Sequence, residues 1–457
     1  MPDLTVDSDD VSLRDKKLIA CVEHLLGGHV IAIDRQLRWR PAWFLEVELP
    51  NGDIVKVHAR GDRESDVLPF PELQREADIL QVLESQGIPV PHVYGMCTDP
   101  MAIIMETVPG TRDVSMAAND AERQSVARQY IEALVKMHQA PVDPYVKKGI
   151  ECPEGAEAIA LAGLNAYLPL YEKHKKQADP FIEFALKWLR SNVPMHRTKP
   201  GFIAFDAGQF LFEKGKITAL YDFEFAMIGD PLTDLATMAM RQSVEPMGDE
   251  IGTLCHYYAE LTGEPLDKAV IRYHHALFAT VACMQFVGST TNPQPGDPHD
   301  VYVEWDLALR RSLLFVLAEN LGVTVTTPVF ARVTSTKKTA LMTMLDDSLA
   351  QIKVTEGLQE QRKAAAARLV EYLTRLEQVE ESLDTLGTED AVVILGDTYQ
   401  QGVDRDEQME RFVMAAGPEH NESLFHYFAH QIERKVQAFK DIDIGQSAAH
   451  VRLEPID

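Results

Sequence analysis

No apolar run in these 457 residues approaches the ~18 needed to cross a bilayer, so no membrane span is expected. Basic residues are scarce as well: 44 Lys and Arg stand against 70 Asp and Glu, a net charge of −26. Nucleic acid and anionic membrane surfaces both call for a basic face, so neither is expected as a partner. The acidity suits a cationic ligand, or simply a solvated surface. Cysteine is sparse and scattered: Cys21, Cys97, Cys152, Cys255 and Cys283 include no CxxC pair and are odd in number. That pattern argues against a zinc site or a disulfide framework and points to a reducing cytoplasm. The opening MPDLTVDSDDVSLRD is acidic and lacks the apolar stretch of a secretory leader. Repeats and low-complexity segments are missing too.

What is present is enough chain for two or three compact units. Residues 1–17 read as a loosely attached arm. Residues 18–110 alternate in the manner of a small antiparallel sheet. The "PNGD" between two apolar runs signals a hairpin, and one helix, PELQREADILQVLESQG, comes after the third strand. After Pro109-Gly110 the pattern turns helical, in AERQSVARQYIEALVKMHQA and DPFIEFALKWLRSN. Helical text resumes from Asp230 to about Leu321, broken by GSTTNPQPGDPHD. A Pro- and Thr-rich stretch near 322–330 marks a boundary. The domains expected are thus an arm (1–17), a β-rich lobe (18–110), a mainly helical lobe (111–328) and a helical extension (329–457). In the extension, the stretch from KKTALMTMLDDSLAQ to EESLDTLG reads as a long helical run, and further helices are expected in the residues after it.

Within the helical lobe lies a β-like interlude, GFIAFDAGQFLFEKGKITALYDFEFAMIGDPLTDLA. Asp206 and Asp222 sit at the ends of its apolar runs, with a tight "EKGK" turn between the strands. An acid in such a place caps a loop or helix, or it does chemistry.

The order of parts resembles the protein-kinase-like fold, and within it the aminoglycoside phosphotransferase family, over roughly residues 18–320. The family pattern HGDxxxxN, strand, turn, (I/L)D(W/F)E, GDP, DLA is similar to AFDAGQ, FLFEKGKIT, ALYDFE, IGDP and TDLA here. The resemblance implies an α+β, two-lobed fold and an ATP-dependent phosphotransferase acting on a small-molecule hydroxyl. Phosphoryl transfer asks a protein mainly for positioning and charge stabilisation. By resemblance Asp206 is the base for the acceptor hydroxyl and Asp222 a ligand of Mg2+. Asp230 and Asp234 read as structural, tying the following helix to the catalytic loop. Arg60 stands where the family has its strand lysine, and Glu76 where it has the partner glutamate; Lys56 and His58 are alternatives for the inward residue. AIIMETVPG resembles the interlobe hinge, in which Glu106 and Val108 offer backbone groups to adenine beside Met105.

This sequence departs from the family in three places. Ala204 and Phe205 replace the family His-Gly before the base. The family Asn, five residues after the base, has no counterpart; Gln209, only three residues on, is the nearest candidate for a metal ligand. No glycine-rich loop joins the first two strands, where DRQLRWRPAW offers Arg38 and Arg40 to phosphates and Trp39 and Trp43 to packing. A catalytically weak, kinase-like nucleotide-binding or scaffold protein is the alternative reading. Family acceptors include aminoglycosides, choline-like alcohols, sugars and hydroxyacyl-CoA thioesters. The acceptor pocket is expected in 240–320, where His256, Tyr257, Tyr258, Tyr273, His274, His275, Trp305 and Asp306 lie, although helix packing accounts for such residues too. No basic cluster for the phosphates of CoA is visible. Three uses are open to the extension: packing on the body, a homodimer interface, or contact with another partner.

Overall fold

The computed structural model describes residues 12–36, 40–62, 72–243, 245–326, 328, 333–355 and 357–456. Arg38 and Trp39 lie outside them. The first lobe opens with α1 (Leu13–Leu26), capped by the Ser12 hydroxyl and closed by Gly27 in the left-handed region. Then come β1 (His29–Gln36), β2 (Ala42–Glu48), β3 (Ile54–Gly61), α2 (Leu73–Ser85), β4 (Val93–Thr98) and β5 (Met101–Glu106). The strands form one antiparallel sheet in the order β1-β2-β3-β5-β4, with α2 after the third strand, as the sequence predicts. Trp43 is buried on the sheet and donates its indole N–H to Asp15.

One reading of the cysteines is corrected. Cys21 on α1 and Cys97 on β4 form a disulfide, 76 residues apart. The pairing depends on α1 packing across β4, a tertiary fact that spacing does not reveal. It also removes the ground on which cysteine usage pointed to a reducing compartment.

The large lobe runs from α3 (Asp120–Gln139) through α4 (Asp143–Val146), α5 (Ala156–Ala160), α6 (Ala162–His174) and α7 (Pro180–Ser191). Strands β6 (Gly201–Ile203), β7 (Phe210–Glu213), β8 (Lys216–Leu220) and β9 (Met227–Gly229) come next, pairing β6 with β9 and β7 with β8. The β7–β8 turn puts Lys214 and Gly215 both at positive φ, the geometry that suits a two-residue hairpin. Then come α8 (Leu232–Gln242), α9 (Ile251–Thr262), α10 (Lys268–Thr291) and α11 (His299–Leu321).

The long helical run of the extension is interrupted. It breaks into α12 (Lys337–Gln351) and α13 (Gly357–Leu395), which pack as a hairpin, and continues with α14 (Arg405–Ala415), α15 (Asn421–Phe439) and α16 (Asp443–His450). Ile352, Val354 and Thr355, all β-branched, occupy the break. α14 packs on α7, and α15 and α16 pack on α11. Phe181 and Phe184 of the large lobe meet Phe428 of the extension within one continuous apolar core. Of the three uses left open by the sequence, packing on the body is therefore realised.

Candidate active site

The chain between β6 and β7 makes a sharp turn, with Phe205 at φ 61°. A bulky residue pays for that conformation, so its surroundings must hold it there. Asp234 on α8 does so. Its fully buried carboxylate accepts the backbone N–H of Ala204 and of Phe205, each at 2.9 Å. His138 Nε2 lies 3.0 Å from the same carboxylate, and its Nδ1 lies 2.8 Å from the Tyr258 hydroxyl. Further along the turn the N–H of Ala207 donates to Thr237 Oγ1 and that of Gly208 to the Tyr130 hydroxyl. Four backbone donors of one loop are thus met by buried side chains. The structural reading of Asp234 holds. Asp230 acts in the same way, receiving a two-pronged bond from Arg197 at 2.8 Å and the N–H of Leu232.

This loop presents Asp206. Its Oδ1 lies 2.5 Å from Arg241 Nη2, and its Oδ2 accepts from Gln209 Nε2 at 3.0 Å. Burial pushes the Asp206 carboxyl up, the Arg241 charge opposes that, and Asp222 adds to it. Asp222 comes after β8 and, like Phe205, holds a positive φ, of 63°. The N–H of Tyr221 donates to the carbonyl of Gln209, which closes the hairpin behind both acids.

Across the lobes, Arg60 gathers the other expected residues. Its Nε donates to Glu76 Oε2 at 3.1 Å, and its Nη2 bonds Asp222, 162 residues away in sequence. Glu76 is buried on the otherwise apolar face of α2. Burial works against the Arg60 charge, but Glu76, Asp222 and Glu224 outweigh it and hold the guanidinium protonated. Lys56 and His58 share a strand face with Arg60 by the two-residue period. However, Lys56 is exposed beside Glu46 and His58 stacks on Phe44. Arg40 does not reach toward an open phosphate site; it is buried, 3.1 Å from Glu224 and 3.9 Å from Glu76.

At the hinge the Glu106 N–H is taken by the His92 carbonyl and the Thr107 N–H by that of Lys56. Among the described residues no acceptor meets the Val108 N–H. An adenine edge can therefore find a free donor at Val108, while Glu106 has only its carbonyl to give. For a cation, the donors are the Asp222 carboxylate and the Gln209 amide oxygen, which no donor meets among the described residues. Hard oxygen donors, few in number, fit Mg2+ that keeps phosphates and waters as its remaining ligands. No group of three or more His, Cys, Asp or Glu side chains forms a metal cage among the described residues.

The expected acceptor residues mostly serve packing. Tyr258 bonds His138, Tyr257 bonds Glu132, Asp306 pairs with Arg310, and burial lowers His275 to about 4, which keeps it neutral. Arg241 is the residue that sequence reasoning missed. Its one signal is position: it lies seven residues after Asp234, two turns along α8, on the side of the helix that faces the loop.

Residues 54–269 match the family model described as "Phosphotransferase enzyme family". The "Probable acyl-CoA dehydrogenase IBR3" of Arabidopsis thaliana is 24% identical over 199 residues, which are 39% of this chain and 24% of that protein. Human "Acyl-CoA dehydrogenase family member 11" is 25% identical over 181 residues, 37% of this chain and 23% of that protein. The chain thus spans about a quarter of the length of these curated relatives. Among solved structures, a provisionally named aminoglycoside phosphotransferase from Ralstonia eutropha JMP134 superposes with a TM-score of 0.52 at 14% identity. That match covers 68% of this chain and 98% of that one. It bears out the two-lobed, kinase-like fold. No helix among the described residues is long and apolar enough to cross a membrane.

Proposed function

We propose that the chain transfers the γ-phosphoryl group of ATP to a hydroxyl of a small molecule, a reading supported by the match of residues 54–269 to the phosphotransferase enzyme family model. The observation that carries this reading is the Glu76–Arg60–Asp222 chain of contacts, which joins three distant segments at one point between the lobes. A structural ion pair needs one partner; a cation shared between a buried helix glutamate and a strained loop aspartate suits a phosphate site.

In this mechanism Val108 and Glu106 orient the nucleotide through backbone groups. Arg60, kept in place by Glu76, turns its fork from Asp222 to the phosphates. Asp222 and the Gln209 amide oxygen would hold Mg2+. When bound, that ion supplies the charge that stabilises the β- and γ-phosphates. Asp206 orients the acceptor hydroxyl and takes its proton on Oδ2, the oxygen that meets only a neutral amide. The hydroxyl oxygen bonds to the γ-phosphorus, the bond from that phosphorus to the β–γ bridging oxygen breaks, and ADP leaves with that oxygen.

The acceptor class stays broad. The names of the curated relatives favour including hydroxyacyl-CoA thioesters in a screen beside amino alcohols and sugars. Thermal-shift titration with ATP and Mg2+, then ADP release across that screen with wild type and Asp206→Asn, tests the proposal. Nucleotide-dependent stabilisation and a release rate that collapses in Asp206→Asn are expected. No nucleotide shift would reject the reading; a shift with equal release rates would leave a nucleotide-binding protein without transfer. Self-association is also proposed, on Leu341, Met344 and Leu345, which α12 leaves 60, 64 and 52% exposed. Sedimentation at a monomer mass over a wide concentration range would reject it.

A further inference from the structure

Four charged side chains from four separate segments meet around Arg60, alternating in sign. Arg60 of β3 lies 3.1 Å from Glu76 of α2 and 3.8 Å from Glu224, which follows β8. Arg40, just before β2, lies 3.1 Å from Glu224 and 3.9 Å from Glu76. Each arginine thus reaches both glutamates, and each has one near partner: Arg60 has Glu76, and Arg40 has Glu224. The side chains of Glu76, Glu224 and Arg40 are only 3, 6 and 9% exposed, so water and salt screen these charges weakly. Asp222 joins at the outer corner, through Arg60.

The backbones beneath the two glutamates are tied together. Arg75, the neighbour of Glu76 on α2, donates to the carbonyl of Glu224 at 3.2 Å and to that of Ala226. Glu224 therefore cannot retreat from α2 when its surroundings change. The arginines are the adjustable members. Arg40 Nη1 and Nε make no hydrogen bond among the described residues, so the contact of Arg40 with Glu224 is one of charge. Without Arg40, the charge of Glu224 falls more heavily on Arg60, which Glu76 and Asp222 already share. A guanidinium held from three sides has less freedom to turn its fork to a phosphate.

We propose that Arg40 is a positioning residue of the phosphate site: paired with Glu224, it keeps that glutamate off Arg60 and leaves Arg60 to Glu76 and the nucleotide. This inference rests on the phosphotransferase reading above and gives Arg40 no contact with substrate. The balance works in both directions. If Glu224 is neutralised instead, Arg40 loses its near partner, and Glu76, 3.9 Å away, is the next carboxylate in the group. Arg40 then competes with Arg60 for Glu76, and Arg60 loses part of what steadies it. Removing one charge of each sign, Arg40 and Glu224 together, leaves Arg60 with Glu76 and Asp222 as before. Residues coupled in one buried charge network give such non-additive effects.

Calorimetric titration of the full chain with ATP and Mg2+ tests this, with thermal melting of each variant alongside. Arg40→Met and Glu224→Gln should each weaken ATP binding by about tenfold, whereas the double variant Arg40→Met/Glu224→Gln should bind within about threefold of wild type. Arg40→Lys keeps the charge and should also stay close to wild type. Losses that add in the double variant would overturn the inference, because damage to packing alone is not undone by a second change. So would wild-type affinity in folded Arg40→Met, or Arg40→Lys binding as weakly as Arg40→Met. Each of these leaves the phosphotransferase reading standing. If Arg40→Met does not fold, the double variant decides: a loss of about tenfold there overturns the inference. No ATP binding by wild type would reject both the inference and the reading it rests on.

Discussion

Asp206 has both carboxylate oxygens occupied, Oδ1 by Arg241 and Oδ2 by Gln209. A base must be ionised to accept a proton, so activity falls as pH drops through its pKa. Burial raises that pKa and Arg241 is the largest influence that lowers it. Replacing Arg241 by Met therefore moves the acid limb of the pH–rate profile to higher pH, and the loss of rate is larger at pH 6 than at pH 8. A profile that keeps its acid limb while the rate drops evenly would show Arg241 to be a purely structural residue. Arg60→Lys tests a different property. Lysine keeps the charge but cannot fork between Glu76 and the phosphates, so nucleotide affinity should fall by about tenfold, read by calorimetry. At this scale the meeting of Arg60 with Glu76 and Asp222 was legible, because each belongs to a motif with a fixed offset; the roles proposed for them and for Asp206 await the tests above. Arg241 was not. Its role depends on which face of α8 looks at the loop, and only the packed structure decides that.

The loop between β6 and β7 owes its shape to α8. Asp234 meets three donors with no exposure to water, while Phe205 holds a backbone conformation that side chains resist. Asp234→Ala leaves two backbone N–H groups and His138 without an acceptor, at a cost of about 3–5 kcal/mol. Urea unfolding would read that cost. Asp234→Asn retains one acceptor oxygen and should lose less. The order of the pair would reverse if the negative charge, rather than the hydrogen bonds, mattered. Elements with a clear period or turn signal were readable at this scale: α2, α3, α7 and the β7–β8 hairpin all fall where pattern and glycine placed them. The α12–α13 break was missed because β-branched residues weaken a helix without forbidding it. The Cys21–Cys97 bond was missed because it joins segments whose meeting is a product of the fold.

On the scale of the whole molecule, the end of the extension returns to the large lobe. Glu454 accepts the backbone N–H of Ile251 at 2.7 Å, capping the start of α9, and the amide of Gln242 at 2.8 Å. Gln242 in turn accepts the N–H of Met247 at 2.7 Å. It is the immediate neighbour of Arg241, so the last residues brace the segment from which Asp206 is held. Ile456 is buried in the same apolar cluster as Phe202 and Leu235. Removing residues 451–457 takes away the cap, the Gln242 contact and that apolar anchor together. The first two are worth about 1 kcal/mol each. Tm should therefore drop by several degrees, and the turnover rate should fall, because Arg241 loses its neighbour's support. Nucleotide binding, which we propose for Val108, Arg60 and Glu76, should be spared. Glu454→Ala separates the contributions: it keeps Ile456 in place, so a lowered turnover rate with little loss of Tm would locate the coupling in the Glu454–Gln242 contact. Equal turnover in wild type, Glu454→Ala and the truncated chain would confine the tail to a stabilising part.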